Sequence, residues 1–222
     1  VWQAWQPWFE RQQIEFLCCD RGYFGTPHYP DFAEAVAERW LLVHSYGLHL
    51  CPAKQLEQAD RLIIFSSFLA FHPTELTAQR HSKRRVNAMV RQLPRQPEAV
   101  LLQFWANTFE PSEAAWANTD ADYLPRANWS LLQQDLESLN VAGLQLDPQI
   151  WPAKILILHG TEDRIVPLAM GQRLAELIKS QAVAREPHDS VQFQALATVG
   201  HALPLTHTAI AQTILEAWLA AS

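Results

Sequence analysis

Five short apolar runs, separated by helical patterns, constrain this chain more than any other feature. Ile14–Cys19, Leu41–His44, Arg61–Phe65, Lys154–Leu158 and Val191–Ala197 are each too short for a buried helix and read as buried strands. Asp20-Arg21-Gly22 ends the first run, and Gly22, Gly25, Pro27 and Pro30 make the next stretch a loop. Helical spacing is predicted from Asp31, as N-cap, to about Trp40, with Phe32, Ala35, Val36 and Arg39 on one side. A short helix disturbed at Pro52 is expected after Leu41–His44, and longer helices over Leu168–Ser180 and Thr206–Ala220. Strands alternating with helices predict an α/β fold: a mostly parallel sheet covered by helices on both faces.

One connection breaks the alternation. From Phe71 to about Leu139 the pattern is helical, with no clear buried strand. At roughly 65 residues it far exceeds an ordinary crossover of about 10–15 residues plus short loops. The expected organisation is therefore a sheet core made of 1–70 and 140–222, with 71–139 inserted as a helical cap. Ligands of such sheets bind beyond the carboxyl ends of the strands, where a cap would roof the site.

Composition excludes several classes. The chain has 222 residues, 49% of them hydrophobic and 18% charged, as expected of one globular domain with an insertion. The net charge of −6 argues against nonspecific nucleic-acid binding. No apolar run reaches the roughly 20 residues of a membrane span, and no signal peptide is visible at the start. Cys18, Cys19 and Cys51 read as small core residues of a protein in a reducing cytoplasm, and no Cys/His spacing suggests a metal. No cofactor is expected.

The chemistry is carried at three strand ends. Leu41-Leu42-Val43-His44-Ser45-Tyr46-Gly47 runs from an apolar strand into a serine with glycine two residues later. That is the pattern of a nucleophile elbow, although Val43 stands where the full signature has glycine. A serine hydroxyl needs a base in reach, and the base needs an acid to fix its tautomer. Asp163 follows the strand ending at Leu158, through His159-Gly160-Thr161-Glu162, and Glu162 is its rival as acid. His201 follows the last strand, in Val199-Gly200-His201-Ala202. Each residue has a plainer reading: Ser45 or Asp163 as a helix cap, His201 as a solvated loop histidine. All three lie just past a strand, in the order Ser, Asp, His, which favours the joint catalytic reading.

These motifs resemble the α/β-hydrolase superfamily over nearly the whole chain. Gly160, Asp163, Val166 and Pro167 match its Gly-x-x-Asp-x-x-Val-Pro pattern, and Gly200-His201 its Gly-His pattern. Within the superfamily the chain is most similar to the carboxylesterases of biotin synthesis that cleave the methyl ester of pimeloyl-acyl carrier protein. Val1-Trp2 through Asp20-Arg21-Gly22-Tyr23-Phe24-Gly25, the stretch around Leu136-Glu137-Ser138-Leu139, and Gly200-His201-Ala202-Leu203-Pro204-Leu205-Thr206-His207 carry that likeness. Tyr23 replaces the group's usual glycine. The resemblance implies a monomeric cytoplasmic serine esterase of the α/β-hydrolase fold that needs no cofactor. It implies an oxyanion hole using the Tyr46 backbone N–H, with a second donor from a His-Gly loop that would lie before Val1.

The cap carries the remaining candidates. Gln79–Arg95 holds six of the 17 basic residues and no acid, leaving 11 basic against 23 acidic residues elsewhere. Val86, Met89, Val90 and Leu93 make an apolar helix face, and Arg80, Arg84 and Arg91 lie opposite. This is either a solvated surface or a docking patch for an acidic partner, and the resemblance points to acyl carrier protein. Phe104, Trp105, Phe109 and Trp116 either line an acyl chamber or pack the cap onto the sheet. The expected activity is hydrolysis of an acyl (methyl) ester. The alternatives are a generic short-chain carboxylesterase or thioesterase and, from another class, a catalytically weak binding protein of the same fold.

Overall fold

The computed structural model describes residues 2–34, 36–112, 124, 126–144, 151–182 and 191–221. A 3-10 turn, Trp2–Trp5, leads into α1 (Gln6–Arg11). Next come β1 (Trp40–His44), α2 (Gly47–Leu50), α3 (Ala53–Gln58) and β2 (Arg61–Phe65). Helices α4 (Leu76–Gln92), α5 (Pro97–Phe109) and α6 (Trp129–Ser138) follow. The chain continues through β3 (Lys154–Gly160), α7 (Leu168–Ala182), β4 (Val191–Leu196), α8 (Leu203–Thr206) and α9 (Thr208–Ala220).

The four strands form one parallel sheet in the order β1-β2-β3-β4. Val43 pairs with Ile64, Ile64 with Ile157, and Ile157 with Phe193. Successive side chains point to opposite faces of a strand, so a strand buried on both faces must be apolar throughout. β2 and β3 meet that demand over Leu62–Phe65 and Ile155–Leu158. Ile63, Phe65, Leu156 and Leu158 pack under Trp5, Phe9, Leu215 and Trp218. Leu62, Ile64, Ile155 and Ile157 pack on the other face against Leu48, Leu174 and Ile178. The expected α/β sandwich is therefore the observed architecture.

Between β2 and β3 the described chain is helical. It leaves at Ala70 and returns at Gly143, which form an isolated antiparallel bridge, and the Leu144 N–H donates to Leu69 O at 2.9 Å. The excursion is thus closed at a narrow neck.

Three expectations fail. Ile14–Cys19 is not a strand. A cleft of about 430 Å³ separates it from β1, with Ile14, Phe16 and Leu17 on one side and Trp40 and Leu42 on the other. Without a ladder partner an apolar run is not a strand. Phe16 is held instead by stacking on Phe9, ring centroids 4.6 Å apart. The helix expected over 31–40 is also absent among its described residues. Val36 stays 40% exposed, so a helical stripe there has no surface to bury, and tertiary burial is what stabilises short helices. Thirdly, Cys19 is exposed and Cys18 half-buried rather than core, because the strand that would have buried them does not form.

Candidate active site

β1 delivers Ser45 through a strained turn. Ser45 has φ 54°, a left-handed conformation that costs a non-glycine residue on the order of 1–3 kcal/mol. The strand ends at His44 and α2 starts at Gly47, so Ser45 and Tyr46 alone make the turn between them. Its backbone is held on both sides: its N–H donates to Phe65 O at 2.9 Å, and its carbonyl accepts from Ser67 Oγ at 2.8 Å. The neighbours are less crowded than the motif suggests. A Cβ added at Gly47 would touch nothing within 4 Å, and Val43 is a buried core residue beside Leu48.

β3 delivers Asp163 on the turn before α7. Oδ1 accepts the N–H groups of Ile165 at 2.9 Å and Val166 at 2.7 Å. Oδ2 accepts His201 Nδ1–H at 2.7 Å. Capping and orienting, weighed as alternatives in the sequence, are thus both present, one on each oxygen. Burial alone would raise the Asp163 carboxyl; the neighbouring His201, its hydrogen bond and the Val166 N–H outweigh it and hold the group below the usual carboxylate range. Glu162 is exposed and its side chain makes no bond to His201 among the described residues.

β4 delivers His201 on the following loop. The ring is 2% exposed. With Nδ1 donating to Asp163, Nε2 is the bare nitrogen, and it accepts the Ser45 hydroxyl at 2.9 Å. The backbone around it is tightly gripped. The Ala202 N–H donates to Thr108 O in α5 at 3.0 Å. A side chain at Gly200 would collide with the Glu110 carbonyl just beyond α5, so only glycine allows this approach.

A cavity of about 620 Å³ opens on Ser45 and His201, with Asp163 buried behind the histidine. Ser45, Tyr46, His201, Phe104, Trp105 and Phe109 line it, with Met89 and Leu93 from α4. Trp116 lies outside the described residues. Arg80, Arg84 and Arg91 do not face this cavity; they stand exposed on the opposite side of α4. The Tyr46 backbone N–H carries none of the hydrogen bonds found among the described residues, so it is a free donor beside the serine. Cys51 also lines the cavity, but burial pushes its thiol up to about 12, which leaves no thiolate nucleophile near neutral pH.

The architecture is shared with known structures. The chain is similar to an esterase from Exiguobacterium antarcticum (TM-score 0.60, 18% identity, covering 80% of this chain and 65% of that one). It is similar to a bromoperoxidase from Bacillus anthracis (TM-score 0.64, 16% identity, 81% and 66% covered). It is also similar to an alpha/beta hydrolase enzyme from a Medee basin deep-sea metagenome library (TM-score 0.62, 12% identity, 83% and 66% covered). The chain has the α/β-hydrolase fold. It spans about two-thirds of the length of these hydrolase-fold structures. No protein-family model and no curated protein matches the sequence.

Three polar groups around the hydrolase-fold site were missed in the sequence. His44 Nε2 bonds the His201 carbonyl oxygen at 3.0 Å. His159, fully buried, donates Nε2–H to Val166 O at 2.8 Å and lies 3.5 Å from Asp163 Oδ2. Arg21 and Tyr23 both bond Asp135 on α6, the arginine through two nitrogens at 2.8 and 2.9 Å. His44 and His159 sit directly beside singled-out motifs, so adjacency was the available signal. The Arg21–Asp135 pair joins positions 114 residues apart, and no local pattern marks it. Among the described residues no cluster of three or more His, Cys, Asp or Glu is arranged to hold a metal ion, and no helix is long and apolar enough to cross a membrane.

Proposed function

We propose that the protein is a serine carboxylesterase using Ser45, His201 and Asp163. One observation carries this reading: His201 bridges Ser45 Oγ at 2.9 Å and Asp163 Oδ2 at 2.7 Å, in the tautomer the reaction requires. Ser45 Oγ attacks the ester carbonyl while His201 Nε2 takes its proton. Asp163 holds the ring and stabilises the imidazolium. The Tyr46 N–H donates to the developing oxyanion, where one such donor is worth about 10²–10³ in turnover. His201 returns the proton to the leaving alcohol, and water attacks the acyl-enzyme by the same route in reverse.

The substrate proposed is a pimeloyl-acyl carrier protein methyl ester, with turnover in the cytoplasm by a monomer. Support comes from the apolar cavity beside Ser45, and from the exposed arginines Arg80, Arg84 and Arg91 on a helix whose other face lines that cavity. In this reading α4, α5 and α6 form the cap, and Phe104 and Trp105 contact the acyl chain. A short-chain carboxylesterase or thioesterase uses the same site without the arginines.

A fluorophosphonate probe tests the chemistry. Wild type is expected to label and Ser45→Ala to stay unlabelled, with hydrolysis of p-nitrophenyl esters falling by at least about 10³-fold in the variant. Folded wild type that does not label, and whose esterase rate Ser45→Ala leaves unchanged, would favour a binding protein of this fold.

A further inference from the structure

We propose that His44 is a positioning residue for His201, its Nε2–H fixing the base loop over Ser45 by donating to the His201 carbonyl oxygen. The inference rests on the serine-hydrolase reading and extends it to a residue outside the triad. A carbonyl oxygen can only accept, so at 3.0 Å the His44 Nε2 must carry the proton. The ring centroids of His44 and His201 lie 4.9 Å apart, so the two imidazoles also pack on each other. Removal from bulk water and the neighbouring His201 hold His44 well below the ordinary histidine range, which keeps it neutral and a single-site donor near pH 7.

Topology explains why such a tie is needed. Ser45 leaves β1 and His201 follows β4, the two outer strands of the four. Three ladder steps separate them, roughly 14 Å at about 4.8 Å per step. Apart from His44, the backbone of the base loop is tied to the turn after β3, where the Glu162 N–H donates to Val199 O at 2.9 Å, and to Thr108 and Glu110 at the end of α5, while its direct link to Ser45 is the His201 side chain. The His44 bond joins the residue next to the nucleophile directly to the backbone of the base. It bypasses both the sheet and the inserted helices. A shift of about 1 Å in such a geometry is enough to lower turnover about 10²-fold.

Two substitutions separate donation from packing. His44→Phe keeps a ring against His201 and removes the donor; His44→Gln restores an N–H near the Nε2 position. With p-nitrophenyl butyrate, His44→Phe is expected to lower kcat about 10- to 100-fold while KM stays within about twofold. Its fluorophosphonate labelling should slow in parallel, and its melting temperature should stay close to wild type. His44→Gln should recover at least about tenfold of the lost kcat. Wild-type turnover in His44→Phe, or equal losses in Phe and Gln, overturns the proposal. Should His44→Phe not fold, His44→Gln against His44→Asn makes the same comparison, because asparagine is one methylene too short to reach. Equal rates for that pair overturn it. Unlabelled wild type sinks the Ser45 reading and this inference together, whereas labelled wild type with unaffected His44 variants sinks this inference alone.

Discussion

Asp163 shows how one residue shapes a turn and holds the candidate base at once. Oδ1 gathers two backbone N–H groups and builds the turn after β3, and Oδ2 is left to face His201. Three N–H donors also satisfy a carboxylate that burial would otherwise make costly. Asp163→Asn separates the two roles. Its amide oxygen can keep the turn, but its NH₂ then faces His201 Nδ1 and forces the proton onto Nε2, where it cannot act as base. The expected loss in kcat is about 10⁴-fold, read with a p-nitrophenyl ester alongside a thermal melt that shows the variant folded. Glu162→Gln, altering an exposed side chain, should stay within about twofold of wild type. A collapse in Glu162→Gln comparable with that of Asp163→Asn would reassign the acid.

Among the elements, α4 is where a surface reading can be tested. Val86 is buried and Met89 and Leu93 face the cavity, while Arg80, Arg84 and Arg91 are exposed and join none of the ion pairs among the described residues. Exposed charges contribute little to stability, so the three can be reversed without unfolding the helix. Reversing all three to Glu should slow hydrolysis of a carrier-protein ester at least about tenfold at low salt and leave a small free ester within about twofold. Equal effects on the two substrates would end the docking proposal. The helix face was legible because Val86, Met89, Val90 and Leu93 repeat at helical spacing. β2, β3 and the three strand-end residues were legible because a strand buried on both faces leaves an unbroken apolar run with polar chemistry only at its tip. Ile14–Cys19 carries an equally apolar run. Its fate depends on a ladder partner, which lies outside the run itself, and across the cleft beside β1 the described residues offer none. The stretch 31–40 fails for a related reason: its periodicity is right, but no surface receives it. Arg21–Asp135 was illegible because the contact exists only once α6 folds over the loop at Tyr23.

For the molecule as a whole, burial favours the neutral form of four histidines, in the sheet core and in the inserted segment. Burial lowers His44, His159, His49 and His72. A histidine whose folded pKa lies below its unfolded value of about 6.5 takes up a proton on unfolding. Its contribution to stability is therefore complete above that value and is lost as pH falls through it toward the folded value. Asp163 acts in the same direction but lower on the scale, since its contribution is lost only as pH falls through a depressed carboxylate pKa. Between pH 7.5 and 5 the histidines thus set the slope. His159 is the cleanest probe, because it is fully buried and its Nε2–H is taken by Val166 O. Urea unfolding over that range should show stability falling toward low pH, and His159→Gln, which keeps a donor for Val166 and cannot titrate, should flatten the fall by up to about 1.4 kcal/mol per pH unit. If wild type and His159→Gln kept parallel slopes, His159 would be titrating alike in the folded and unfolded chains, and the slope between pH 7.5 and 5 would have to come from His44, His49 and His72 instead.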